Sequence, residues 1–280
     1  MRSLYGGNDE YYTNPMIAEQ LVEKTIKFLD IRGVYNPVFV EPSAGEGAFS
    51  GYLDLRGNMC LAYDINPKGE YAELMVTKRD FLTEGMTTLP EHIYVAIGNP
   101  PFGFACSKAV QFFNKCAEYC DFIAFILPKT FYKPSIQQKL NPYFHLEYSE
   151  VLPNNSFILN GEPHSVPCVF QIWQRQEEMR VSRKSDLKEF LHCVTKDRAD
   201  FAMRRVGGRA GQILDGLDYN ENTTYFFKEA KAGVLDMLKR IDFSGLVSNT
   251  AGVKSLSKAE LADSLVAQEI IEGKRTSFNG

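Results

Sequence analysis

Asn99-Pro100-Pro101-Phe102, which follows an apolar run at 93–97, carries groups that a conjugated amine or amide nitrogen needs in order to react. Such a nitrogen is a poor nucleophile because its lone pair is spread into the neighbouring π system. Acceptors that draw its two hydrogens out of the plane localise the lone pair again. Asn99 offers a side-chain carbonyl for this, and Pro100 a main-chain carbonyl. The two prolines stiffen the segment and bring no competing N–H. Phe102 offers a face on which a flat base can stack, worth about 1–3 kcal/mol in comparable contacts. No covalent nucleophile is required, so the six cysteines receive no role.

A second set of residues precedes this string. Glu41-Pro42-Ser43-Ala44-Gly45-Glu46-Gly47 follows the apolar run at 38–40, and its glycines suit a turn where a ligand approaches the backbone. Asp64, in Tyr63-Asp64-Ile65-Asn66-Pro67, ends a second run about 20 residues on, where an acid can accept from ribose hydroxyls. Ser50 stands where a phosphate-binding glycine fingerprint needs its third glycine, so a ribose-bearing cofactor without phosphates fits better than a dinucleotide. Asp80 can accept from an adenine amino group, and Phe81 can lie against the ring. The two sets describe a nucleoside site beside a site for a planar amine or amide.

These residues need a scaffold, and the apolar pattern supplies one. Runs recur at 38–40, 60–63, 74–76, 93–97, 122–127, 146–151 and 166–173, with helical spacing between several of them. Ala18, Leu21, Val22, Ile26 and Leu29 predict a helix over 15–30, capped by Thr13 or Asn14 with Pro15 in the first turn. Ala109, Phe112, Phe113, Cys116 and Cys120 predict another. Strand and helix in alternation predict an α/β fold with a mostly parallel seven-stranded sheet. The last two runs have no helix between them and read as an antiparallel pair at one end. The polar stretch 174–184 marks a boundary, giving a region 1–176 and a region 177–280. Lys and Arg number 14 against 19 Asp and Glu in the first region and 17 against 16 in the second. The second reads as smaller and mainly helical, with helices over 185–194, 228–241 and 257–271; the last opens on the capping-box spacing Ser257-x-x-Glu260.

Taken in order, Glu41 to Gly47, Asp64, Asp80-Phe81 and Asn99-Pro100-Pro101-Phe102 resemble the S-adenosylmethionine-dependent N6-adenine DNA methyltransferases of the Asn-Pro-Pro-Phe type, in the arrangement with target recognition C-terminal. Tyr12-Thr13-Asn14-Pro15 resembles that family's upstream motif, usually Thr-Pro-Pro, with Asn14 replacing the first proline. The resemblance spans roughly residues 11 to 173 and implies a Rossmann-like class I methyltransferase fold. It implies that Thr13 and the turn at Gly45 and Gly47 hold the methionine end of S-adenosylmethionine, that Asp64 holds the ribose, and that Asp80 with Phe81 holds the adenine, with Glu41, Ser43, Ile65 and Asn99 as further cofactor contacts. It implies that region 1–176 binds cofactor and catalyses, and that region 177–280 contacts nucleic acid.

Within the second region, Arg204, Arg205 and Arg209 lie in the one basic, glycine-rich stretch, with Lys196 and Arg198 nearby, and are candidate phosphate contacts. A duplex substrate would require the base to be flipped, and Phe157, in the segment joining the last two runs, is a candidate second aromatic wall. Four functions fit: methylation of adenine in DNA, the same chemistry on RNA, methylation of a glutamine side-chain amide, and a cofactor- or nucleic-acid-binding module without catalysis. The net charge of −4 argues against a protein wholly given over to nucleic acid. Cysteines and histidines show no metal-ligand spacing, so no metal is expected. No apolar stretch is long enough to span a membrane, and the first ten residues lack the apolar core of a signal peptide, so a cytoplasmic protein is expected. Oligomeric state is left open.

Overall fold

The computed structural model describes residues 11–180, 185–250 and 252–274. The chain divides into two compact units, Met1–Lys129 with Lys139–Arg180, and Thr130–Gln138 with Val181–Gly280. The second unit thus takes an excursion from the interior of the first, which a single cut at 176/177 does not describe.

In the first unit, Tyr12–Thr13 forms the short strand β1. Asn14, rather than Thr13, caps helix α1 (Pro15–Ile31): its Oδ1 accepts from the Met16 amide at 3.0 Å, and Pro15 sits where no N–H is needed. Strand β2 (Val38–Glu41) is buried throughout and turns into α2 (Ala48–Leu55). The alternation continues through β3 (Cys60–Asp64), α3 (Glu70–Met75), β4 (Thr77–Lys78), α4 (Phe81–Glu84), β5 (Tyr94–Gly98), α5 (Ser107–Cys116) and β6 (Phe122–Pro128). The excursion, with the short helix α6 (Pro134–Gln137), follows directly. The chain then returns as β7 (Phe144–Val151), a hairpin of β8 (Phe157–Leu159) and β9 (Glu162–His164), and β10 (Cys168–Arg175).

The main sheet has the order β4-β3-β2-β5-β6-β10-β7. It is parallel from β4 to β6, and β10 runs antiparallel to both neighbours. This is the seven-stranded, mostly parallel, Rossmann-like sheet with an antiparallel end that the sequence implies. The chain builds outward from β2 to β4 on one side and then crosses to β5 and β6 on the other. Adjacent β2 and β5 therefore mark the point of reversal, where open sheets form a crevice at the carboxyl ends of the strands. Phe39, Val95, Ile97, Ala124, Ile126 and Phe170 from the sheet share one core with Leu21, Val22 and Phe49 from the helices.

Two features of this unit differ from expectation. The run at 74–76 ends α3, and the third strand is the polar pair that follows it. Leu74 and Met75 are exposed, and only Val76 turns inward. A two-residue edge strand buries too little to write an apolar pattern. The hairpin of β8 and β9 was also not foreseen; it pairs through β8 with β1 to make a separate three-stranded sheet.

The second unit corrects the mainly helical expectation. Leu191–Cys193 (β11), Phe201–Arg204 (β12), Ile213–Leu214 (β13) and Thr224–Glu229 (β14) form an antiparallel sheet of order β11-β14-β12-β13. The helix expected over 185–194 is one 3-10 turn followed by β11, and that expected over 228–241 starts only at Val234, because Lys228 and Glu229 finish β14. Strands of two to six residues are too short for period two to stand out. Helices α7 (Val234–Arg240), α8 (Ser244–Val247) and α9 (Lys258–Ile271) pack on this sheet through Phe201, Met203, Phe227, Met237, Phe243 and Leu265. The capping box at α9 forms: the Glu260 amide donates to Ser257 Oγ at 3.2 Å, and the Ser257 amide to Glu260 Oε2 at 2.8 Å. The same carboxylate holds the excursion, because Lys133 Nζ donates to both of its oxygens at 2.9 Å and to the Ser255 carbonyl at 3.0 Å. Both side chains of this pair are buried.

Candidate functional site

A cavity of about 780 Å³ lies in the first unit, at the carboxyl ends of β2, β3 and β5. Its wall includes Thr13 from β1, Glu41, Ser43 and Gly45 after β2, Asp64 and Ile65 after β3, Asp80 and Phe81 after β4, and Asn99, Pro100, Pro101 and Phe102 after β5. Four loops far apart in sequence thus meet because parallel strands end on one side. Gly47 and Phe157 are absent from the wall.

The nucleoside-binding candidates are held by local backbone. The Gly45 amide donates to Asp64 Oδ2 at 2.8 Å, and the Asn66 amide to Asp64 Oδ1 at 2.7 Å, which fixes this carboxylate with further lone pairs available. Gly45 has φ +57°, and a Cβ there would stand 3.2 Å from the Tyr12 ring. Asp80 caps α4 by accepting from the Leu82 amide at 3.0 Å through Oδ1, and its other oxygen makes no hydrogen bond among the described residues. Phe81 is buried between Tyr63 and Tyr119, at ring distances of 5.5 and 6.1 Å.

Gly47 has a different role from the one expected. It is the residue before α2, at φ +82°, and a Cβ would lie 2.6 Å from Tyr71. Glycine is needed there for the turn and for the tyrosine, away from the cavity. Phe157 is also corrected. It is fully buried in the core, while its neighbour Ile158 lines the cavity. Successive residues of a strand point to opposite faces, so only one of the two can face the site.

Three polar groups on the wall lack ordinary satisfaction. Glu41 is buried, and accepts from the Ser50 amide at 2.8 Å; loss of water pushes its carboxyl up to about 8. Ser43 Oγ is buried with no hydrogen-bond partner among the described residues. Asn99 Oδ1 is in the same position. The orientation of the Asn99 amide is set by chemistry: its other terminus meets the main-chain carbonyl of Tyr11 at 3.1 Å, which only an N–H can face. The acceptor end is therefore the one left over. Buried polar groups in folded proteins are nearly always paired, and two that are not lie on this one cavity wall.

Tyr11 is the site residue that sequence reasoning missed. Its ring stacks on His164 at 5.3 Å and meets Phe157 edge-on at 6.3 Å, so the unforeseen hairpin holds the carbonyl that orients Asn99. Its one signal was adjacency to the Tyr12-Thr13-Asn14-Pro15 string. Lys108, on α5, also lines the cavity and carried no signal.

Among the basic candidates of the second unit, Arg204 is half-buried and engaged, donating to Thr223 Oγ1 at 2.6 Å and lying over the Tyr219 ring. Arg205 and Arg209 are exposed. Among the described residues, no group of three or more His, Cys, Asp or Glu side chains could hold a metal, and no helix is long and apolar enough to cross a membrane.

No protein-family model matches the chain, and no curated protein matches it. Solved structures do. A candidate RNA methyltransferase from Pyrococcus horikoshii shares 16% identity over 60% of this chain and 88% of its own, with a TM-score of 0.42. The magnesium protoporphyrin IX methyltransferase of Synechocystis, solved with bound S-adenosylmethionine, shares 15% over 57% and 81%, with a TM-score of 0.41. An S-adenosylmethionine-dependent O-methyltransferase from Thermotoga maritima shares 15% over 57% and 66%, with a TM-score of 0.37. Likeness this slight leaves the activity to be argued from the site.

Proposed function

We propose that this chain is an S-adenosylmethionine-dependent methyltransferase that acts on the N6 amine of adenine in DNA. The observation that carries this reading is the buried, unpartnered Oδ1 of Asn99, left over because Nδ2 is committed to the Tyr11 carbonyl. An acceptor held there without a donor suits an N–H supplied by substrate. With the Pro100 carbonyl it would take both hydrogens of an exocyclic amine and free the lone pair. Phe102, half-buried on the same wall, offers the stacking face.

The remaining wall fits the cofactor. Asp64 and Asp80 suit hydroxyl and amino donors of a nucleoside, and Ser43 Oγ awaits a partner. The Glu41 carboxyl, raised because it is buried, becomes a favourable anion once a positively charged group lies beside it. Bound there, the cofactor supplies an electrophilic methyl group. The protein's own part is to align the amine and stabilise the positive charge it gains, through acceptors fixed in advance.

The test is methyl transfer from labelled S-adenosylmethionine to duplex DNA, single-stranded DNA, RNA and a protein lysate in parallel. Nuclease digestion and mass spectrometry identify the product, and Asn99→Ala is the control. N6-methyladenine in DNA, absent with the variant, is the expected result. Label confined to RNA or to protein would transfer the chemistry to another substrate. Cofactor binding without label anywhere would indicate a binding module.

A further inference from the structure

Phe102 leads into a protruding loop that carries a second phenylalanine. The chain turns at Gly103 (φ +68°) and comes back at Lys108, the second residue of α5. The Lys108 and Ala109 amides both donate to the Phe102 carbonyl, at 3.1 and 3.3 Å, and the Cys106 amide donates to the Gly103 carbonyl at 3.3 Å. A Cβ at Gly103 would lie 2.8 Å from Lys108 Cγ, so a side chain there would push the two ends of the loop apart. Between them Ala105 (φ +49°) and Cys106 (φ +65°) both take the left-handed conformation, which residues other than glycine rarely adopt. Cys106 is buried and anchors the far side of the loop, while Phe104 is held outward, 81% exposed. A single exposed phenylalanine is ordinary on a protein surface. Here the backbone bears two unfavourable conformations in a row next to it, and strain of that kind collects at functional sites. Its position points to the occupant. Gly103 and Lys108, on either side of it in the chain, line the cavity, whereas Phe104 stands outside. Its Cα is at most about 7 Å from that of Phe102, two residues back, the rise of roughly two base steps along one strand. Lys108 is exposed and has no ion-pair partner among the described residues. The uncompensated charge beside the loop is therefore positive and suits a phosphate backbone.

We propose that Phe104 is a wedge that enters the base stack of a duplex and fills the place the target adenine leaves when it turns into the cavity. The inference rests on the function proposed above, and adds to it a residue that handles the helix instead of the reacting base. Apolar side chains that enter a base step partly unstack it and hold it open, and opening the stack is what a duplex substrate demands before its base can be flipped. A pinched, rigid loop suits this, because a ring fixed in advance loses little freedom on entry. The loop starts from Phe102. The ring that would stack on the flipped adenine and the ring that would replace it in the helix are thus carried by one short segment. Phe104 carried no signal in the sequence.

Unmethylated duplex DNA, and the same DNA heat-denatured to single strands, are methylated from labelled S-adenosylmethionine by the full chain as wild type, Phe104→Ala and Phe104→Trp, with unfolding temperature recorded for each. A strand without a paired stack needs no wedge, so the quantity read is the ratio of duplex to single-strand rate below saturation. Phe104→Ala is expected to lower that ratio by about 10- to 100-fold, and Phe104→Trp, which keeps a flat ring, to retain most of it. Unfolding temperature is expected to stay near that of wild type, because a side chain this exposed supports little packing. A ratio unchanged in Phe104→Ala, or lost equally in both variants, overturns the wedge. So does a wild type that methylates single strands alone, which leaves the proposed function standing. A wild type that methylates DNA in neither form refutes the proposed function itself, and the wedge falls with it.

Discussion

Asn99 Nδ2 donates to the main-chain carbonyl of Tyr11 at 3.1 Å across 88 residues of sequence. This bond leaves Oδ1 as the free end of the amide, and the proposed function gives that end to the amine and the neighbouring loops to the cofactor. Asn99→Ala is expected to lower the rate of transfer by about 10²–10³, while the dissociation constant for S-adenosylmethionine stays within about threefold. Single-turnover kinetics with calorimetry separates the two. Equal loss of both would show that the residue builds the pocket instead.

Asp80 has one oxygen committed to the α4 cap and one open. Asp80→Asn retains a capping carbonyl and removes the charge, so it is expected to weaken cofactor binding with little change in stability. Asp80→Ala loses both, and should add about 1 kcal/mol of destabilisation from the lost cap. Denaturant titration beside cofactor titration distinguishes them.

Glu41 gives a pH dependence whose sign is fixed. Its carboxyl goes from about 4.5 in the unfolded chain to about 8 in the fold, so the folded state holds this proton more tightly. The stability it contributes is complete below the unfolded value and is lost as pH rises through the folded one. Unfolding temperature of the free protein is therefore expected to fall between about pH 5 and 8, and Glu41→Gln to flatten that fall. A cationic ligand needs the carboxylate, so cofactor affinity should rise with pH up to about 8, and no longer do so in Glu41→Gln. A flat affinity profile in wild type would separate Glu41 from the cofactor's charge.

The buried pair of Lys133 and Glu260 ties the excursion to the capping box. Removing one partner leaves a buried charge, and Lys133→Ala is expected to cost about 3–5 kcal/mol. Guanidinium unfolding followed by circular dichroism measures this. A loss below about 1 kcal/mol would mean that water enters and replaces the ammonium.

The parts of the site that were legible in the sequence are those where side-chain type does the work. Asn99 and Asp64 stand at the ends of strands whose apolar runs are long enough to see, whereas Asp80 follows the two-residue polar strand β4 and is legible only by its place in the order of the motifs. Tyr11 was not legible, because its contribution is a carbonyl that every residue carries, aimed by a contact across most of the domain. Phe157 and Ile158 are both apolar, and a three-residue strand leaves its facing direction unstated until its partner β1 is known. Gly47 illustrates a third limit: glycine marks a tight place, and here the crowding neighbour is Tyr71 rather than a ligand. In the second unit, β12 offers only Phe201-Ala202-Met203-Arg204 between polar stretches, too brief to separate strand from helix.

The excursion at Thr130–Gln138 makes the two units inseparable in cloning. The chain passes between them after Lys129, before Lys139 and again after Arg180. A graft that exchanges only the C-terminal hundred residues would leave Lys133 behind and bring a carboxylate with no ammonium to meet it. Recombination at a single breakpoint therefore meets a penalty here, and a working chimera must carry the nine-residue insert together with the tail. Any exchange of the second unit among such chains would have to move two gene segments as one.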